Sequence, residues 1–125
     1  MTWQTSADPR RIYRAQQVAN ESPGRLVLLV YDTALRACRR GQRGLLMRVL
    51  HELIAGLDLE QGEVAVGLLR LYEYALWQLR EGNLEEVRLV LQGLREAWAK
   101  GLDEEEGRAA ARRGSFPAST GVPGR

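Results

Sequence analysis

The stretch that decides the fold is Ser22-Pro-Gly-Arg-Leu-Val-Leu-Leu-Val-Tyr-Asp-Thr-Ala-Leu-Arg-Ala-Cys38. Ser22 is a good helix N-cap, because its hydroxyl can accept a free amide of the first turn. Pro23 suits the first helical position, where a missing N–H costs nothing. Leu26 to Tyr31 then follow as an unbroken apolar run. A surface helix carries one apolar stripe, whereas this one is apolar most of the way round, which predicts contacts on several sides and a central place in a helical domain. The run is too short to cross a membrane. At helical spacing Val27, Val30, Tyr31, Ala34 and Cys38 share a face, with Leu35 and Ala37 beside it and Arg36, Arg39 and Arg40 outward.

Working outward, three further helices are predicted. One runs from about Leu45 to Leu57, with Leu46, Val49, Leu50, Leu53 and Leu57 on its core face. Gly41 and Gly44 bracket the turn before it, and Arg39, Arg40 and Arg43 stand ready to satisfy a helix C-terminus there. The next runs from about Glu63 to Glu81 on Ala65, Leu68, Tyr72, Ala75 and Leu79, flanked by Leu69, Leu71 and Leu76. The last runs from Asn83 to about Gly101 on Leu84, Val87, Leu91, Leu94 and Trp98. Asn83 with Glu86 three residues on reads as a capping box. Strand signals are nearly absent. Four amphipathic helices with short connections imply an all-α fold, an antiparallel up-down-up-down four-helix bundle.

The bundle is expected over residues 22–102. Before it, residues 1–21 form an N-terminal cap segment: Asp8-Pro9 starts a short helix to about Ala19, with Ile12, Tyr13 and Val18 as its few apolar anchors. After it, residues 103–125 read as a disordered, flexible C-terminal tail. It comprises an acidic run Asp103–Glu106, an Arg-Ala stretch, and then Gly, Ser, Pro and Thr.

Composition narrows the function classes. Of 125 residues 45% are hydrophobic, enough for one cored domain. The 18 basic residues, nearly all Arg, are interspersed with 16 acidic ones, leaving a net charge of +2. That pattern describes a mixed solvated surface better than a nucleic-acid footprint, so no nucleic-acid partner is expected. Cys38 is the single cysteine, which fits a reducing compartment and reads as a small buried thiol. His51 has no Cys or second His to pair with, so neither a metal nor another cofactor is expected. No charged-then-apolar leader follows Met1, and a cytoplasmic protein is expected. No phosphate loop, Cys–His pair or HExxH appears, so the chain does not read as an enzyme.

One feature exceeds what a core needs. Val66, Tyr74 and Trp77 lie with Arg70 on the far side of the third helix, with Leu71 flanking. Two aromatics and a valine on one outward face suggest either a partner surface or packing beneath the N-terminal segment.

Three stretches taken together resemble the flagellin-specific export chaperones of the FliS family. The first is Tyr13 to Leu35, with Ser22-Pro23 and Leu-Val-Tyr-Asp-x-Ala-Leu from Leu29. The second is Leu57-Asp58, Gly62-Glu63-Val64-Ala65 and Leu71-Tyr72-Glu73-Tyr74. The third is Glu86-Val87 and Leu94-Arg95-Glu96-Ala97-Trp98. The resemblance covers about residues 10 to 102. It implies a cytoplasmic chaperone that binds the C-terminal segment of flagellin, prevents premature polymerisation and delivers it to the flagellar export gate. The client segment would fold into helices on apolar grooves, and the chaperone's own N-terminal segment would cover part of that surface. The partner-binding residues expected on these grounds are Ile12, Tyr13, Val18, Val66, Leu71, Tyr74 and Trp77. The chain departs from the family in four places, two of them a third-to-fourth helix hairpin shorter by roughly seven residues, about two turns in all, and a long tail after Trp98. Gly24 and Arg25 follow Ser-Pro where a Glu is usual. The span from Leu35 to Leu57 is shorter by roughly twenty residues, about three turns from each of two helices. The competing readings are an Arg-rich helical nucleic-acid-binding protein and a helical adaptor with a different client.

Overall fold

The computed structural model describes residues 12, 13 and 23–121, with side chains at 12, 13 and 24–113. Its helices are α1 (Pro23–Arg39), α2 (Arg43–Ala55), α3 (Glu63–Arg80) and α4 (Leu84–Gly121), with a short 3₁₀ turn at Leu59–Gln61. Helix α1 packs against α2 and α4, and α3 packs against the same two. This is the antiparallel four-helix arrangement expected from the short connections. The Ser22 cap and residues 14–21 lie outside the described residues.

The two helical hairpins are closed by the same device. Gly41 and Gly82 take positive φ, 67° and 85°, where a side chain would be strained. The amides of Gln42 and Asn83 then reach back to the carbonyls of Ala37 and Gln78, at 2.9 and 2.8 Å. Each turn thus satisfies carbonyls that the ending helix leaves open. Arg43 adds a third bond, its guanidinium donating to the Leu79 carbonyl at 2.8 Å. The capping box expected at Asn83 does not form. The Asn83 amide is already committed to Gln78, and Glu86 instead accepts the Tyr74 hydroxyl at 2.8 Å.

The predicted stripes make the core. Leu46, Val49, Leu50, Leu53 and Leu57 are buried, as are Ala65, Leu68, Tyr72, Ala75 and Leu79 across from them. From α4 come Val87, Leu91, Trp98 and also Leu102. Two expectations need correction. Helix α1 touches only two neighbouring helices closely, and Val30 lies at the edge of the core instead of within it. Helix α4 also runs on to Gly121, well past the end expected near Gly101. The added stretch is rich in Glu, Ala and Arg, all good helix formers, and Glu106 pairs there with Arg25 of α1.

At the middle of the bundle three tyrosines share one hydrogen-bonded chain. The Tyr72 hydroxyl lies 2.7 Å from that of Tyr13 and 2.6 Å from that of Tyr31. Trp98 sets its ring edge-on to both Tyr13 and Tyr31, at centroid distances of 5.8 and 6.1 Å. Its indole N–H donates to the Gly24 carbonyl at 2.9 Å, so the start of α1 is tied to α4. Asp32 and Arg95 form a forked ion pair across the same interface, with Nε to Oδ1 at 2.5 Å. Every polar tip in this aromatic cluster therefore has a partner, which burial requires.

Candidate functional site

Between α1 and α2 lies an open groove of about 520 Å³. Leu26, Leu29 and Val30 line it from α1, Leu53 and Ala55 from α2, and the ring of Tyr13 closes one end. Among the described residues Glu52 is its only charged lining residue. Leu29 is 55% exposed, although it stands in the middle of the apolar run of α1. The groove is the unsatisfied third side of that run. A trough of aliphatic side chains between two helices is the geometry that takes the apolar face of another helix.

Tyr13 enters this site from outside the bundle. Ile12 and Tyr13 cross the connection after α2, where Tyr13 pairs as an isolated antiparallel bridge with Leu57. The amide of Asp58 donates to the Ile12 carbonyl at 2.7 Å. Both side chains are buried, Tyr13 to 6% exposure. Burial pushes the hydroxyls of Tyr13, Tyr31 and Tyr72 far above the usual tyrosine range. All three are neutral at physiological pH, and each can donate or accept within the chain.

The residues singled out from sequence fall in two places. Ile12 and Tyr13 are core residues, of which Tyr13 also lines the groove, and Val18 lies outside the described residues. Leu71, Tyr74 and Trp77 are exposed on the outward face of α3, Trp77 at 56%, while Val66 is half-buried. The exposed Leu89 of α4 adds a further apolar side chain outside the core. Sequence reasoning missed the groove residues Leu26, Leu29 and Val30. Its one signal was the surplus of apolar residues around α1, read as burial on all sides.

Other candidate chemistry is quiet. Cys38 is buried, and desolvation raises its thiol pKa despite the nearby Arg88 and Arg39 guanidinia. Among the described residues no three His, Cys, Asp or Glu side chains converge as metal ligands. No helix among them is long and apolar enough to cross a membrane.

The fold is thus an antiparallel four-helix bundle with an open, largely apolar groove between α1 and α2. The family whose sequence model matches is described as "Flagellar protein FliS", over residues 44–106, just over half of the chain. The chain belongs to the FliS flagellar protein family, a family of flagellar chaperones. The matched span holds α2, α3 and more than half of α4. Helix α1 lies before it and is joined to it through Tyr31–Tyr72 and Asp32–Arg95. Comparison with curated proteins and with solved structures gives no match.

Proposed function

We propose that this protein is a cytoplasmic export chaperone for flagellin. It holds the C-terminal segment of unpolymerised flagellin as a helix, keeps it from assembling, and delivers it to the flagellar export apparatus. The observation that supports this reading most directly is the α1–α2 groove with its exposed Leu29, in a chain of the FliS family. A client helix would bury its apolar stripe on Leu26, Leu29 and Val30. Leu71, Tyr74 and Trp77 would give a longer client a second apolar surface on α3. The segment carrying Ile12 and Tyr13 acts as a cover, since Tyr13 forms one wall of the groove.

Calorimetry tests the reading, with flagellin from the same genome, intact and lacking its C-terminal segment. Binding of the intact protein only, with weak dependence on salt, is the expected result. Equal binding of both would move the recognised segment elsewhere. No binding to either would leave a bundle of this family with another client.

A further inference from the structure

Among the described residues arginines outnumber acids at one end of the bundle, while the other end mixes acids with bases. At one end the α1–α2 and α3–α4 turns lie side by side, as the bond from Arg43 to the Leu79 carbonyl shows. Arg36, Arg39, Arg40, Arg43 and Arg80 are all exposed there. Among the described residues Arg39, Arg40 and Arg80 make no ion pair. The acids of the same end are partly occupied: Glu85 binds Arg88 at 2.6 Å, and Glu86 accepts from Tyr74. At the opposite end Asp58, Glu60 and Glu63 stand around the 3₁₀ turn and Asp103 to Glu106 beyond the core of α4, interspersed with Arg25, Lys100, Arg108, Arg112 and Arg113.

The bland account of these arginines is that they complement helix C-termini. It covers Arg36 and Arg39 in the last turn of α1, and Arg80 in the last turn of α3. It does not cover Arg40, which lies past the helix. It does cover Arg43, which opens α2 but donates to the Leu79 carbonyl in the last turn of α3.

We propose that this turn end is a second docking surface, for an acidic segment of a partner protein. Guanidinia hold carboxylates through paired N–H bonds and are less strongly hydrated than lysine ammonium groups, which suits them to protein carboxylates at an interface. A peptide is favoured over nucleic acid because Glu81 and Glu85 stand among the arginines. A phosphate backbone bears a charge at every nucleotide and would meet them, whereas a peptide can set neutral residues there. The local excess of arginine would draw such a partner to this end. The surface is distinct from the groove. Arg36 marks the boundary between them, donating to the Thr33 hydroxyl of the groove wall at 3.3 Å.

Fluorescence anisotropy on the full chain tests this with three labelled probes of equal length: a peptide rich in Asp and Glu, its Asn and Gln counterpart, and single-stranded RNA. The acidic peptide should bind best, and its affinity should fall steeply with added salt. R39E/R40E should weaken it roughly tenfold or more. R108E/R113E alters net charge equally at the far end and should change it less than about twofold. R39Q/R40Q, which avoids placing an anion at a helix C-terminus, should give an intermediate loss with the thermal melt unchanged. Equal losses for the two reversal variants would overturn the proposal, because net charge alone would then explain binding. So would equal binding of charged and uncharged peptides. RNA bound more tightly than the acidic peptide would also overturn it, and would give this end to nucleic acid.

Discussion

The two sides of α1 are made of the same kinds of residue and have opposite fates. On one side Tyr31, Ala34 and Cys38 are buried against α2, α4 and the Tyr72 hydroxyl. On the other, Leu26, Leu29 and Val30 line a groove in which no other helix among the described residues lies. The buried side is tied to the rest of the bundle by a polar group, the Tyr31 hydroxyl bonded to Tyr72 and so linked to Tyr13, whereas the Thr33 hydroxyl on the groove side bonds only within α1. Apolarity by itself says that a surface is to be covered. What covers it, the chain's own core or another molecule, depends on whether a specific partner is built into the same sequence.

The largest effect that would break this comparison is on the buried side. Trp98 touches Tyr13 and Tyr31 and bonds the Gly24 carbonyl, so Trp98→Ala removes packing and a hydrogen bond together. It should cost about 3–5 kcal/mol. For a domain of this size that lowers Tm by roughly 15 °C or more. A thermal melt within a degree or two of wild type would mean that the aromatic cluster is not the centre of the fold.

The groove side should behave in the opposite way. Leu29→Glu places a charge at a position already in contact with water, so stability should change by less than about 0.5 kcal/mol. Affinity for the flagellin C-terminal segment should fall roughly tenfold or more, since a buried apolar anchor would be replaced by a desolvated charge. If calorimetry shows full affinity, the client lies elsewhere. Tyr74→Ala with Trp77→Ala, on the outward face of α3, is then the next variant to measure.

The tyrosine chain gives the buried side a pH signature. Desolvation raises the pKa of Tyr13, Tyr31 and Tyr72 above the unfolded value of about 10. Below about pH 10 these hydroxyls are neutral in both states, and their contribution to stability is complete. Above it the unfolded chain loses protons that the folded one keeps, so stability falls as pH rises. Urea melts should therefore show a decline beginning near pH 10 that becomes shallower in Tyr31→Phe. An unchanged slope in that variant would mean that Tyr31 is not held in a dry site.

Much of this was legible in the sequence, and the missing parts share one cause. The stripes of α2, α3 and α4 are periodic, and periodicity alone placed Leu50, Tyr72 and Trp98 inward. The glycine turns were equally local. The groove was not legible, because Leu29 and Tyr31 look alike in a continuous apolar run and only the third dimension separates them. Nor was the depth of Ile12 and Tyr13, whose neighbours in sequence are polar. Their burial rests on contacts with Asp58 and Tyr72, separations over which a local pattern carries no information. The end expected for α4 near Gly101 was an inference from composition, and it gave too little weight to the helix-forming Glu, Ala and Arg that follow.

The smallest effect is the sharpest probe of the boundary between the two sides, which is Tyr13. Gly56 follows α2 with an ordinary right-handed backbone, φ −84° and ψ −7°. Nothing in that conformation requires glycine. What stands against a side chain is Tyr13, whose Cδ1 would lie 3.1 Å from an added Cβ. Gly56→Ala therefore has two opposing terms. It should stabilise by about 0.4–1 kcal/mol through the unfolded chain, wherever the new methyl has room. It should also push the Tyr13 ring outward, loosening its bond to Tyr72 and its edge contact with Trp98. With Tyr13 present the second term should win, giving a net loss of about 1 kcal/mol or less. In a Tyr13→Ala background only the first term remains, so the same substitution should raise stability. A sign reversal between the two backgrounds is the expected outcome of this double-mutant cycle. The same substitution tests the cover without deleting any residue of it. If the N-terminal segment only competes with the client, loosening Tyr13 raises the binding-competent fraction, and apparent affinity for the flagellin segment rises with it. If Tyr13 also touches the bound client, affinity falls instead. Gly56→Ala with neither stability nor affinity altered would mean that Tyr13 is not packed against the end of α2, and the groove would lose the wall assigned to it.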